Sequence, residues 1–132
     1  MAIFQQTLEK LQHFPLAPVA ARTESFTGAT TNIADLKDFD GEIQVLLDAA
    51  AAGADGTKTL ALKIQHSDTT TDGDFADVSP AVAFTSLTTT ASKQVLTVNR
   101  DALKRYIRLV TTQGAGSTYT FGVNGYGLKK YG

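Results

Sequence analysis

Residues 60 to 78 read LALKIQHSDTTTDGDFADV. Leu60, Leu62 and Ile64 alternate with Ala61, Lys63 and Gln65, the period of two that sets one face of a strand in a core and the other in water. Residues 67 to 73 are Ser, Asp, Thr and Gly, residue types that accept tight-turn geometry. An apolar pattern resumes at Phe75 and Val78, so the stretch predicts a hairpin. A chain built on such units is all-β: an antiparallel β-sandwich or jelly roll whose loops, rather than a catalytic cleft, carry function.

Working outward from this hairpin, strands are expected over residues 43 to 48, 59 to 66, 75 to 78, 82 to 87, 94 to 98, 106 to 112 and 119 to 128. Short strands in quick succession, with turn residues between them, are the pattern of a sandwich or jelly roll. The alanine run from 49 to 54 has helical propensity, but Gly53 and Asp55-Gly56 mark it as a loop between strands. Asn99 or Asp101 can cap one helical turn before Tyr106. Gly114-Ala-Gly116-Ser reads as a hairpin turn between the last two strands rather than a phosphate cradle.

The first forty residues differ. Apolar positions are sparse, and Pro15, Pro18 and Gly28 interrupt any sustained pattern, so residues 1 to 40 are expected as an extended N-terminal arm and lead-in to one sandwich domain over 41 to 132. Phe4, Leu8 and Leu11 share helical spacing, but about ten residues hold no helix in water without something to pack on. Phe14-Pro-Leu-Ala-Pro-Val, residues 14 to 19, favours an extended path, because each proline drives its predecessor out of the helical region. Three readings of this arm stay open: it lies on its own sandwich, it lies on a neighbouring subunit, or it is disordered.

Composition narrows the functional classes. A chain of 132 residues with 42% hydrophobic and 19% charged residues has room for one packed core. Its formal charge of -1 makes no electrostatic case for nucleic acid or an acidic membrane. It contains no cysteine, which removes disulfides, thiolate metal sites and a cysteine nucleophile. The N-terminus carries no basic leader with a long apolar run, and no stretch approaches the roughly 20 apolar residues of a membrane span, so the expectation is a soluble, unexported protein.

Residues that could do chemistry are few. There are two histidines, His13 in the arm and His66 at a strand end, where packing or hydrogen bonding explains it better than a role as base. Neither a GxSxG nor a Walker-type sequence occurs. Asp68, Asp72, Asp74 and Asp77 are the one set of oxygen ligands that could gather on calcium. Their spacing is not that of an EF-hand, and aspartates also cap their own backbone in tight loops, so no metal or cofactor is assigned. As paired glycosidase carboxylates they lack a sugar platform. Tyr106, Tyr119, Tyr126 and Tyr131 fall on strand positions in a chain without tryptophan. Arg100, Lys104, Arg105 and Arg108, with Lys129 and Lys130, read as a solvated basic face, as a docking patch for an acidic protein surface or, least of the three, as a nucleic-acid contact. No enzymatic activity is expected.

Three phrases carry a resemblance: residues 38 to 48, DFDGEIQVLLD; residues 60 to 68, LALKIQHSD, with 72 to 78, DGDFADV; and residues 103 to 110, LKRYIRLV. Together they resemble the small capsid decoration, cement or head-stabilising proteins of tailed bacteriophages, over roughly residues 30 to 130. The resemblance implies a jelly-roll-like virion subunit assembled in the host cytoplasm and bound outside the capsid to the major capsid protein. Some discoidin-like carbohydrate domains share the second and third phrases in similar order, which keeps a glycan- or host-surface-binding module as the alternative. A cement protein stabilises a shell by binding its assembled state, which needs contact area and no active site. Ile3, Phe4, Leu8, Leu11, Phe14 and Leu16, with Arg100, Lys104 and Arg105, are therefore the expected partner-binding residues. A closed homo-oligomer, a trimer for preference, is the natural geometry at a capsid symmetry axis.

Overall fold

A computed structural model describes residues 11 to 29, 32 to 52 and 57 to 129. Eight strands run in chain order: β1 (Leu11–Arg22), β2 (Ala34–Asp35), β3 (Phe39–Ala49), β4 (Leu60–Ser67), β5 (Ala76–Asp77), β6 (Ser92–Asn99), β7 (Tyr106–Gln113) and β8 (Tyr119–Lys129). They form two four-stranded sheets, β1-β8-β3-β6 and β2-β7-β4-β5, called here sheet A and sheet B. All the strand pairs are antiparallel. First pairs with last, second with seventh, third with sixth and fourth with fifth, so the chain is one long folded-over ribbon wound into two layers. This is the winding of a jelly roll, and the all-β sandwich expected from the sequence is observed.

The core lies between the layers. β3 contributes Ile43, Val45, Leu47 and Ala49, β4 contributes Leu60, Leu62 and Ile64, and β7 and β8 add Ile107, Leu109, Tyr119, Phe121 and Val123. The alternation read in residues 60 to 65 thus sets the inner face of β4. Its hairpin with β5 is short, pairing Gln65 with Asp77 and His66 with Ala76. Beyond it, residues 82 to 87 continue along β4 through bridges at Lys63–Ala83 and Leu60–Leu87. A single 3-10 turn, Arg100–Ala102, follows β6, and the Asn99 side chain accepts the Asp101 N–H at 2.9 Å, the cap the sequence suggested.

Residues 11 to 22, expected in an arm, are instead an outer strand of sheet A. Phe14, Leu16 and Ala17 are buried in the chain's own core, so Phe14 and Leu16 are not free anchors for a partner. Leu11 is extended in β1, not helical. Ile3, Phe4 and Leu8 lie outside the described residues. Local pattern hid this strand because Pro15 and Pro18 look like interruptions, yet an edge strand has no outer partner that needs their missing N–H. Two register irregularities, between Pro15 and Ala17 and between Ala17 and Ala20, absorb the misfit. Arg22 then ties the irregular half down. Its guanidinium donates to the carbonyls of Pro18 at 2.6 Å and Phe121 at 3.0 Å and stacks on the rings of Phe26 and Phe121 at 4.8 and 4.6 Å. Phe26, Ala34, Leu36 and Phe39 also join the core, so among the described residues the sandwich begins at Leu11 rather than at residue 41.

One connection differs from its expectation. Gly114 to Ser117 closes a turn in which the Ser117 N–H donates to the Gly114 carbonyl at 3.3 Å and Gly116 takes φ of 80°. It is no hairpin, because β7 belongs to sheet B and β8 to sheet A. The turn carries the chain across the sandwich.

Candidate docking face

The outer face of sheet A is the most distinctive surface of the molecule. Four large apolar residues are exposed among those described: Leu11 at 47%, Val19 at 72%, Val95 at 59% and Leu128 at 37%. All four belong to sheet A. Leu11 opposes Leu128 across β1 and β8, and Val95 opposes Leu46 across β6 and β3. Val19 lies over Gly122, whose missing side chain leaves room for it. Between them runs a largely uncharged band. His13 and Asn124 share a hydrogen bond of 2.8 Å, and the His13 ring sits 5.1 Å from that of Tyr126, which in turn opposes Gln44. Charges stand at the margins, with Asp48 opposite Lys93 at one side. At the other, Glu42 lines a shallow pocket of about 390 Å³ together with Leu11, Gln44, Tyr126, Gly127 and Leu128.

An apolar, charge-poor sheet face is costly to leave in water, and burying it against a partner recovers about 25 cal/mol per Å² of apolar area. Charge depletion with Tyr and Leu anchors is also what distinguishes the centre of an interface from ordinary surface.

Sheet B and the loop after β4 carry a second set of charges, and most of those are engaged within the chain. Arg108 is buried and donates to Gln65 Oε1 at 3.1 and 2.9 Å and to Asp72 Oδ1 at 2.6 Å, with its guanidinium 4.3 Å from the Phe75 ring. Asp74 accepts the Thr69 hydroxyl, and Asp77 accepts from Lys63 and Gln65. Three of the four aspartates, Asp72, Asp74 and Asp77, therefore turn to separate partners, and among the described residues no three His, Cys, Asp or Glu side chains gather as a metal site would require. Two of the basic residues singled out from the sequence are engaged within the chain as well. Arg100 donates to the carbonyls of Leu36 and Leu103, and Arg105 forms a two-pronged pair with Asp35 at 3.1 and 3.0 Å. That pair holds the Asp35 carboxyl below its ordinary range, chiefly through the hydrogen bond to Arg105. The strand register places Leu11, Arg100, Lys104 and Arg105 at the same end of the sandwich, where β1 and β7 begin and β6 and β8 end.

His66 is a structural acceptor. Its Nδ1 takes the Lys104 backbone N–H at 3.2 Å. Burial lowers its pKa from the ordinary 6.5, the charge of Lys104 lowers it further, and Asp68 opposes both. A folded state that binds its proton less readily than the unfolded chain loses stability as pH falls below the unfolded value. The melting temperature of the parent chain should therefore fall relative to a His66→Gln variant between pH 8 and pH 5. Parallel curves across that window would remove this role.

Val19, Leu46, Val95 and Leu128 were not singled out from the sequence, and Tyr126 was named there only as one of four tyrosines at strand positions. The available signal was the loss of clean alternation in residues 45 to 47, VLL, and 95 to 98, VLTV, because apolar residues on both faces of a strand mean that both faces are covered.

No protein-family model and no curated protein matches the chain. Solved structures do. The SPBc2 prophage-derived protein YomS is similar at a TM-score of 0.50 and 13% identity, over 90% of this chain and 93% of that one. The VP2 subviral particle of infectious bursal disease virus is similar at a TM-score of 0.52 and 10% identity, over 88% of this chain and 31% of that one. The T13 viral particle of the same virus is similar at a TM-score of 0.51 and 14% identity, over 90% and 31%. This chain thus spans about a third of each of those viral chains and nearly the whole of the prophage protein. At such identities the likeness is one of fold: a jelly-roll β-sandwich shared with a prophage-derived protein and with proteins of a viral particle.

Proposed function

We propose that this chain is a non-enzymatic structural protein of a phage virion, which coats the outside of the assembled head by laying the outer face of sheet A on the major capsid protein. The observation that carries this reading is the confinement of the four exposed apolar side chains to one sheet. The jelly roll shared with a prophage-derived protein supports the setting. Binding that favours the assembled shell over its free subunits stabilises the shell by mass action, and a standard interface of about 800 Å² per partner is within the reach of one sheet face. A closed ring of copies, three for preference, suits a capsid symmetry axis. The alternative, a glycan-binding module working through its loops, meets an acidic loop whose Asp72, Asp74 and Asp77 are already engaged by Arg108, Thr69, Lys63 and Gln65.

The test is sedimentation of the purified chain with heads assembled without it. Val95→Asp places a charge on the face, midway along its edge strand β6, on a side chain that the fold leaves in water, so the variant should melt like the parent. Binding to heads should weaken at least tenfold, about 1.4 kcal/mol. Unchanged occupancy would refute the face assignment.

A further inference from the structure

We propose that the pocket at the end of sheet A receives the first ten residues of a second copy of this chain, with Phe4 seated between Leu11, Tyr126 and Leu128. The inference rests on reading the outer face of sheet A as a contact surface, and it names what covers one end of it.

The position of the pocket comes first. Leu11 opens β1 and is itself a wall of the pocket, so the preceding chain joins the fold at that wall. Their chemistry matches the cavity. Residues 1 to 8, MAIFQQTL, carry no charged side chain and present Ile3, Phe4 and Leu8 with two adjacent glutamines. The pocket offers Leu11, Leu128 and the Tyr126 ring, with the Gln44 amide and the Glu42 carboxylate at its polar edge. An uncharged segment loses little on leaving water, whereas a charged one would require a paired charge inside. The glutamine amides have an acceptor in Glu42, which makes no salt bridge among the described residues. A volume of about 390 Å³ suits a few side chains rather than a whole secondary-structure element.

Chain geometry selects a second copy over the same one. Phe4 stands seven residues before Leu11, a span of about 23 Å when extended. Returning it to its own pocket needs a reversal within residues 5 to 10, QQTLEK, which contain no Gly, Pro, Asn or Asp, the residues that make tight reversals. A segment that leaves the rim and continues outward reaches the neighbour's pocket instead. Donor and acceptor are then different patches of one molecule, so the contact is head-to-tail, and it closes into a ring when each copy gives one segment and receives one. Exchange of this kind sets the entropy cost of ordering a segment against an intersubunit bond.

The absence of cysteine makes the test direct. Two single-cysteine chains, Phe4→Cys and Leu128→Cys, are mixed and mildly oxidised. A disulfide-linked heterodimer specific to the mixture is expected, along with a ladder of dimers and larger species from the double variant. A pairing of Phe4→Cys with Val19→Cys, near the far end of β1, should give at least tenfold less product. In sedimentation, Phe4→Asp should shift the assembled chain toward monomer, while at concentrations dilute enough for both proteins to be monomeric it should melt like the parent. A crosslink confined to monomers, or no excess over the Val19→Cys control, overturns the proposal, as does an oligomer indifferent to Phe4→Asp. These measurements use free protein, so their failure is distinct from a failure of the Val95→Asp variant to lose binding to heads.

Discussion

Replacing Gly125 by alanine should destabilise the fold by about 3 kcal/mol, the upper end for overpacking a core, and lower the melting temperature by roughly 10 °C. Gly125 faces inward from β8, and a Cβ there would overlap ring carbons of Phe14. The ring cannot move aside at low cost. It is buried and packs edge-on against Phe39 at 5.5 Å between centroids. Phe39 in turn fills the space beside Gly127, where an added Cβ would lie 2.6 Å from its Cδ1. Two glycines at alternate positions of β8 thus make the recess that holds two aromatic rings and keeps β1 in the sheet. The prediction has an internal control, because residues that share one space do not act additively. Phe14→Leu removes the ring that the new methyl strikes, so the double variant should be more stable than the sum of the two single losses implies. Urea melts of the four proteins decide the matter, and a Gly125→Ala variant within about 0.5 kcal/mol of the parent, the size of an ordinary surface substitution, would show that Phe14 is not held as described.

Arg108→Ala is the second large effect, expected at about 3 kcal/mol. The guanidinium is buried, grips Gln65 Oε1 with two N–H groups, and covers Phe75. Hydrogen bonds from a charged donor contribute about 1.5 to 3 kcal/mol in such settings, and the lost side chain also packs. Its bond to Asp72 adds little, because that carboxylate side chain is 87% exposed and solvent screens the pair. Arg108→Lys should recover only a minor part, since an ammonium cannot make the forked contact and stack together. Asp72→Asn should cost less than about 1 kcal/mol. If Asp72→Asn proves as damaging as Arg108→Ala, the ion pair rather than the Gln65 and Phe75 contacts holds the loop.

Both predictions concern pairs far apart in the chain, Phe14 with Gly125 and Arg108 with residues 65 to 75, and neither could be read from local pattern. What was legible was local. The alternation in residues 60 to 65 gave one face of β4, the turn residues after it marked the hairpin, and the successive short runs from residue 43 onward indicated a sandwich. The Asn99 cap was legible for the same reason, since a cap depends on residues two or three apart. The acidic loop was visible as a composition, but the destination of each carboxylate was not. A turn shows that aspartates are near one another, whereas only the packed sheet sets Arg108 beneath Asp72 and Lys63 beside Asp77.

The candidate site divides in the same way. Ile3, Phe4, Leu8 and Leu11 were singled out for being apolar in a weakly patterned segment, and Leu11 does stand on the rim of the pocket. Phe14 and Leu16 looked equivalent and are core residues; Gly125, which receives the Phe14 ring, lies more than a hundred positions away. Val19, Val95 and Leu128 come from three distant segments, and no segment alone reveals that they share a face.

By itself, then, the chain determined its class: alternation and turn chemistry act between near neighbours, and they specify antiparallel strands whatever the rest does. Tertiary structure alone decided that residues 11 to 22 close sheet A, that Gly114 to Ser117 crosses between sheets, and that the exposed apolar side chains collect on one side. Those outcomes depend on shape matched across the fold, a ring against a missing Cβ or a valine over a glycine, and such complementarity exists only once the strands are paired.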